Sequence, residues 1–169
     1  MREYSTDAVV LGVGERNGYD RFVDLYTEEI GRVRARVVAG RKITSKLSPH
    51  LSLGNFISSR LVYKNQFTLA DALVQRVFSG SDILGGLSLV NSLAPVMFPD
   101  LQIWDLLRQG LYNGRCDHKV FLSAFGYDAT YSSCDLCGAN EVKLFFLPDQ
   151  MFLCNTHAND VPRSKTVSI

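Results

Sequence analysis

The sequence has no hydrophobic run long enough to cross a membrane. Its longest stretch without a charge is residues 83–99, seventeen residues interrupted by Gly85, Gly86, Ser88, Asn91, Ser92 and Pro95, whereas a spanning helix needs about 20 predominantly apolar residues. The N-terminus, MREYSTDAVV, lacks the apolar segment of a secretory signal. No low-complexity segment or internal repeat is present. Cysteines number only four; without an export signal the expected compartment is the reducing cytosol, where clustered cysteines point to metal ligation before disulfides. A dominant charge sign is missing too. Eighteen Lys+Arg against seventeen Asp+Glu leave a net charge of +1, which excludes a strongly basic nucleic-acid tail and an acidic solvating domain, but not a locally basic surface.

What remains is ordinary globular composition, 46% apolar and 21% charged over 169 residues, enough for one domain or two small ones. The charge is unevenly spread. Residues 1–78 carry twelve Lys/Arg and eight Asp/Glu, a net of +4, and residues 79–169 carry six and nine, a net of −3. The window 31–46 holds Arg32, Arg34, Arg36, Arg41, Lys42 and Lys46 and no acid. In a strand, side chains alternate between faces, so Arg32, Arg34 and Arg36 share one face while Val33, Ala35 and Val37 point inward. Three guanidiniums in a row repel one another unless something anionic lies across them, an arrangement that favours a polyanion.

The first half reads as β-structure. Residues 8–13 form a short apolar run, and Gly14 to Gly18 has turn chemistry. Residues 21–26 are β-rich, 27–31 read as a tight turn, and 31–38 alternate. Residues 55–64 alternate again, with Ile57, Leu61 and Tyr63 on one side and Ser58, Arg60 and Lys64 on the other, so Arg60 and Lys64 join the candidate cationic set. Asn65-Gln66 turns the chain into 68–77. Five short strands in about eighty residues suggest a small closed or nearly closed barrel. Phe56, Tyr63 and Phe67 are either stacking platforms or core.

After Phe78 the periodicity is helical. Ser81 and Asp82 can cap a helix bearing Ile83, Leu84, Leu87, Val90 and Leu93. Pro99-Asp100 precedes a second helix with Ile103, Trp104, Leu106, Leu107 and Leu111, ending near Gly114. Asp117 starts a third through Phe121 and Ala124, stopped by Gly126. These stripes read as core.

The C-terminal region contains Cys134-Asp-Leu-Cys137-Gly138 and, after sixteen intervening residues from Cys137, Cys154-Asn-Thr-His157. Two residues between ligands let each pair form a knuckle, and the two knuckles converge on one tetrahedral zinc ion. Residues 142–147 and 151–153 read as a hairpin between them, the layout of a zinc ribbon. Four protein ligands leave no position for a substrate water, so the expected site is structural. Cys116 stands apart as a small buried hydrophobe, and His50 and His118 have no partner at metal spacing. The run Gly12-Val-Gly14-Glu-Arg-Asn-Gly18 has its third glycine one place too far for a dinucleotide loop and is followed by strand. No nucleophile motif, ATP-binding motif or carboxylate pair in an acid–base setting is present, so no catalytic residue and no enzymatic activity are expected.

The order of parts resembles a known family. Ala8-Val-Val-Leu11, the segment from Val23 to Arg32, the basic Ala39-Gly-Arg-Lys-Ile-Thr-Ser-Lys46 and Leu69-Ala-Asp-Ala-Leu73 are similar to the N-terminal OB-fold of the bacterial recombination mediator RecO. The segment 121–138, with a Phe-Gly-Tyr before Cys-x-x-Cys-Gly, is similar to that family's helical and zinc region. The resemblance implies an α+β chain: an OB-fold β-barrel over 1–78, a small helical region over 79–130, and a zinc-ribbon-like Cys3His module with a tail over 131–169. It implies a cytoplasmic, nucleoid-associated protein of DNA repair and the DNA damage response. Such a protein binds single- and double-stranded DNA, anneals complementary strands without ATP, and acts with RecR to load RecA onto strands coated by single-strand binding protein (SSB). The residues matching the family's basic segment are Arg32, Arg34, Arg41, Lys42 and Lys46, and the zinc ligands map to Cys134, Cys137, Cys154 and His157. Family members carry further helices after the zinc module, which makes the SSB contact the least direct of these implications. The competing reading is a zinc-ribbon protein-interaction module of a larger nucleic-acid-associated assembly. A zinc hydrolase would require one of the four ligands to be off the metal.

Overall fold

The computed structural model describes residues 1–15, 20–38, 46–78 and 80–169. Five strands come first: β1 (Arg2–Glu15), β2 (Arg21–Thr27), β3 (Gly31–Val37), β4 (Phe56–Tyr63) and β5 (Phe67–Arg76). They close into a barrel in the order β1-β2-β3-β5-β4. All pairs are antiparallel except β3 with β5, which meet only at Ala35–Phe67 and Arg36–Thr68. The expected five-stranded barrel is therefore present, each strand within a few residues of its sequence signal except β1. That strand is longer than its apolar run because its first half pairs with β4 and its second half with β2.

The apolar run in β1 has a physical reason. Ala8 and Val10 point into the barrel core with Val23, Leu25, Val33, Ala35, Ile57 and Leu61. Val9 and Leu11 point outward, yet they are as buried, because helices cover that side. A strand buried on both faces reads as a continuous hydrophobic run rather than as alternation. A register shift between Val10 and Gly12 interrupts the β1–β2 ladder just past Val9, where pairing with β4 ends.

The helices are α1 (Ser81–Leu93), α2 (Leu101–Asn113) and α3 (His118–Ala124). Helix α1 begins at Ser81, so Gly80 takes the cap position expected of Ser81. Asp100 caps α2 by accepting from the amides of Gln102 (2.8 Å) and Ile103 (3.2 Å), and Asp117 caps α3 through Lys119 and Val120, each worth about 1 kcal/mol. Trp104 is fully buried between Tyr26, with rings stacked at 6.4 Å, and Phe56 at 5.9 Å. The Tyr26 hydroxyl also meets the backbone of Asp100 at 3.2–3.3 Å, tying the start of α2 to the outside of β2. Phe56 and Phe67 are thus core, the first under the helices and the second inside the barrel; Tyr63 is half-buried against Phe67. Cys116 is buried where α1 and α2 approach. A Cβ on Gly86 or Gly110 would lie 2.7 or 2.6 Å from its sulfur, so two glycines make its seat.

A small sheet follows, ordered β7-β6-β8, from β6 (Leu144–Phe146), β7 (Met151–Leu153) and β8 (Thr166–Ser168). The hairpin matches expectation, and the third strand, returning after His157, was not foreseen. Alternation along the hairpin gives it two jobs. Phe145 and Phe152, with Val167 of β8, join the helical core, while Phe146 and Leu153 face Cys134 and Cys154. One continuous apolar cluster therefore runs from the outside of the barrel through three helices to this sheet.

Candidate metal centre and nucleic-acid interface

The four sequence-predicted ligands come together. Their ligating atoms all lie within 4.8 Å of one another. Cys137 Sγ is 3.8 Å from Cys154 Sγ, and His157 Nδ1 is 3.5 Å from Cys134 Sγ and 3.4 Å from Cys154 Sγ. A tetrahedral ion with metal–sulfur bonds near 2.3 Å and metal–nitrogen bonds near 2.0 Å requires edges of about 3.8 Å between sulfurs and about 3.6 Å between sulfur and nitrogen. These three spacings match the edges of a tetrahedral shell, and all four ligating atoms lie within 4.8 Å of one another.

The knuckle geometry is local. The Cys134 amide donates to Ala139 O, and the Gly138 amide donates to Cys134 O, both at 2.8 Å. Gly138 sits at φ +73°, a left-handed turn that a residue with Cβ adopts at a cost. The hairpin is bolted to this knuckle: Asp135 N donates to Phe152 O (3.0 Å), and Phe152 N donates to the Asp135 carboxylate (2.6 Å). The amide of Cys154 is the chief cause that pulls the Cys134 thiol down to about 6. Amide donation from His157 lowers Cys154 as well. His157 is raised, first by the Cys134 sulfur beside it. Cys134 and Cys154 thus favour the thiolate, the form that binds a metal. Against the lowering by the Ala139 amide, burial and the neighbouring Cys134 and Cys154 sulfurs push Cys137 up.

The cationic residues divide into groups. Arg32, Arg34 and Arg36 share the outer face of β3 as alternation requires, but cross-strand register supplies acids that sequence alone does not reveal. Arg34 lies opposite Asp24 of β2 and grips it with both nitrogens, at 2.7 and 3.0 Å. Arg36 binds Asp20 at 2.7 Å. Their mutual repulsion is therefore answered within the chain, so it no longer requires an external polyanion. The pairs do not silence the arginines. Arg34 is 67% exposed, and exposed ion pairs are worth about 0–1 kcal/mol, little enough for a phosphate to compete.

Arg32 is different. It lies opposite Tyr26, on the part of the face the helical region covers. Its Nη1 donates to the carbonyl of Asn91 at the end of α1, and its Nε is buried without a hydrogen-bond partner among the described residues. It is a strut between barrel and helix.

At the other end of β3, cations gather. Arg36 pairs in register with Thr68; the turn bearing exposed Lys64 leads into Phe67, which pairs with Ala35. Exposed Lys46 precedes a 3-10 turn, Ser48–His50, whose Ser48 hydroxyl accepts from Arg21 at 3.5 Å. Lys46 and Lys64 have no acid partner among the described residues. Arg21 belongs to this end as well, and sequence reasoning missed it; its register position opposite Val37 is the signal. Arg60 lies on β4, two strands around the barrel from β3, and pairs with Glu3 at 2.9 Å. Arg41 and Lys42 lie outside the described residues. Phe98, in the segment between α1 and α2, is exposed beside Gly31 at the start of β3, the end away from these cations, and was not anticipated either.

A five-stranded barrel closed in this order is an OB fold, whose strands 2–3 and adjoining loops form the surface that takes oligonucleotides in such barrels. Residues 1–75 match the family model described as "Recombination protein O N terminal". This N-terminal domain is therefore similar to that of the RecO family, a family of recombination and repair, over 75 of the chain's 169 residues. No curated protein matches the chain. No described helix is long and apolar enough to cross a membrane.

Proposed function

We propose that the chain is a non-enzymatic recombination mediator of the cytoplasm and nucleoid. It binds single- and double-stranded DNA on its barrel, anneals complementary strands without ATP, and works with RecR to load RecA onto SSB-coated DNA. The observation that carries this reading is the cation-rich end of an OB barrel in a domain matching the RecO N-terminal model.

The chemistry is electrostatic. Lys46, Lys64, Arg34 and Arg36 offer charges that follow a phosphate backbone without reading sequence. Two strands held on one cationic surface repel each other less, and base pairing then drives annealing. The metal proposed for Cys134, Cys137, Cys154 and His157 is zinc, one per chain. With four protein ligands it supplies a structural crosslink rather than a reaction centre. The residues around it hold the small sheet against the helices.

The test is strand annealing by the purified chain, without ATP or chelator, with bare and SSB-coated strands. Acceleration on both is the expected result. DNA binding without faster annealing would favour the protein-interaction module instead.

A further inference from the structure

The segment joining α1 to α2 leaves its apolar residues in water. Val96, Met97, Phe98 and Leu101 are 61%, 46%, 63% and 70% exposed. Isolated exposed apolar side chains need no explanation, but a contiguous group marks a binding surface. The segment is also held in place. Val96 forms a parallel bridge with Arg32, and the Met97 amide donates to Arg32 O at 2.9 Å. Gly31, at φ +76°, lies directly beneath it: a Cβ there would come within 2.3 Å of Phe98 O. Met97 itself sits at φ +57°, a conformation that costs about 1 kcal/mol or more for a residue with a Cβ. A costly backbone, firmly anchored, presents a row of apolar groups to solvent.

This row borders the barrel face. β3 meets β5 only at Ala35 and Arg36, and Val96 lies against the part β5 leaves uncovered. A cleft of about 290 Å³ joins the two surfaces, lined by Asp24, Arg32, Val33, Arg34 and Val96. One side therefore offers the exposed Arg34 guanidinium, paired with Asp24 of the same cleft, and the other Val96, with the exposed Phe98 and Leu101 farther along the segment. A ligand matching both carries anionic charge along one edge and flat apolar faces along the other. Unpaired nucleotides have this character; a duplex hides its base faces in its own stack.

We propose that Val96, Phe98 and Leu101 form a stacking wall for unpaired bases whose phosphates lie on the Arg34 side, so that the helical half completes the barrel's single-strand site. The inference rests on the DNA-binding reading above and adds a preference for unpaired strands from outside the OB domain.

The test uses the full, metal-loaded chain and its Phe98→Ala, Leu101→Ala double variant. Affinity for an oligodeoxythymidine and for a blunt duplex is measured at one salt concentration. Single-strand affinity should fall about tenfold, as loss of an aromatic stacking contact implies, with duplex affinity and the melting temperature unchanged. Phe98→Trp should keep single-strand affinity. Bromodeoxyuridine in the strand should photocrosslink to the 96–101 segment. If the wild type binds DNA and the double variant binds single strands equally well, the wall belongs to a protein partner and the proposal is overturned. An equal loss on duplex overturns it too. A wild type that binds neither DNA overturns the underlying function as well, so the two failures are distinguishable.

Discussion

Stripping the metal is expected to collapse the C-terminal half of the chain. Structural sites of this kind contribute about 10 kcal/mol or more of folding energy, comparable with the whole stability of a typical domain, about 5–15 kcal/mol. The effect should spread beyond the knuckles, because the small sheet faces both ways. Phe146 and Leu153 pack with Cys134 and Cys154, and Phe145 and Phe152 pack into the cluster that contains Trp104. Trp104 is the only tryptophan, so its emission reports the shared core. Chelation, or Cys154→Ser, should shift it to the red and expose the helical region to protease, while the barrel's β signal in circular dichroism persists. Unchanged emission and protease resistance after complete removal of the metal would show that packing alone holds the sheet.

The second large effect concerns charge. Replacing Arg34, Arg36, Lys46 and Lys64 together by alanine should weaken single-strand binding about a hundredfold or more near 0.1 M salt, since each released phosphate contact contributes roughly fivefold there. Asp24→Asn should act in the opposite direction, raising affinity about threefold to fivefold by freeing Arg34 from its partner. Arg32→Ala provides the contrast. Its guanidinium donates to Asn91 O under the helical region, so its loss should lower the melting temperature more than it lowers DNA affinity. Binding assays at matched salt, with thermal melts of every variant, separate these outcomes.

Different parts of the molecule were legible in the sequence to different degrees, for physical reasons. The cluster of potential metal ligands was legible because the spacing within each Cys-x-x pair is a local property: Cys134, Cys137, Cys154 and His157 converge as that spacing requires. Helix starts at Asp100 and Asp117 were legible because a capping carboxylate acts within three residues. The outward alternation of Arg32, Arg34 and Arg36 was legible from the strand period. What each arginine meets was not. Asp24 is ten residues from Arg34, and Asn91 is fifty-nine from Arg32; both contacts depend on strand register and helix placement, which no local pattern encodes. Strand β8 escaped notice because three residues give no period, and its pairing with β6 is a tertiary choice. The burial of Val9 and Leu11 on the outside of the barrel was written in the apolar run, but only the helices explain it.

The most direct test of a backbone-following cationic surface is the salt dependence of single-strand binding. Four phosphate contacts predict that log K falls with log salt at a slope near −3, about a fifty-fold loss of affinity from roughly 50 to 200 mM salt. The four-cation variant should flatten that slope, whereas the Phe98 and Leu101 variant should leave it unchanged. A wild-type affinity that stays constant across the same range would contradict the account.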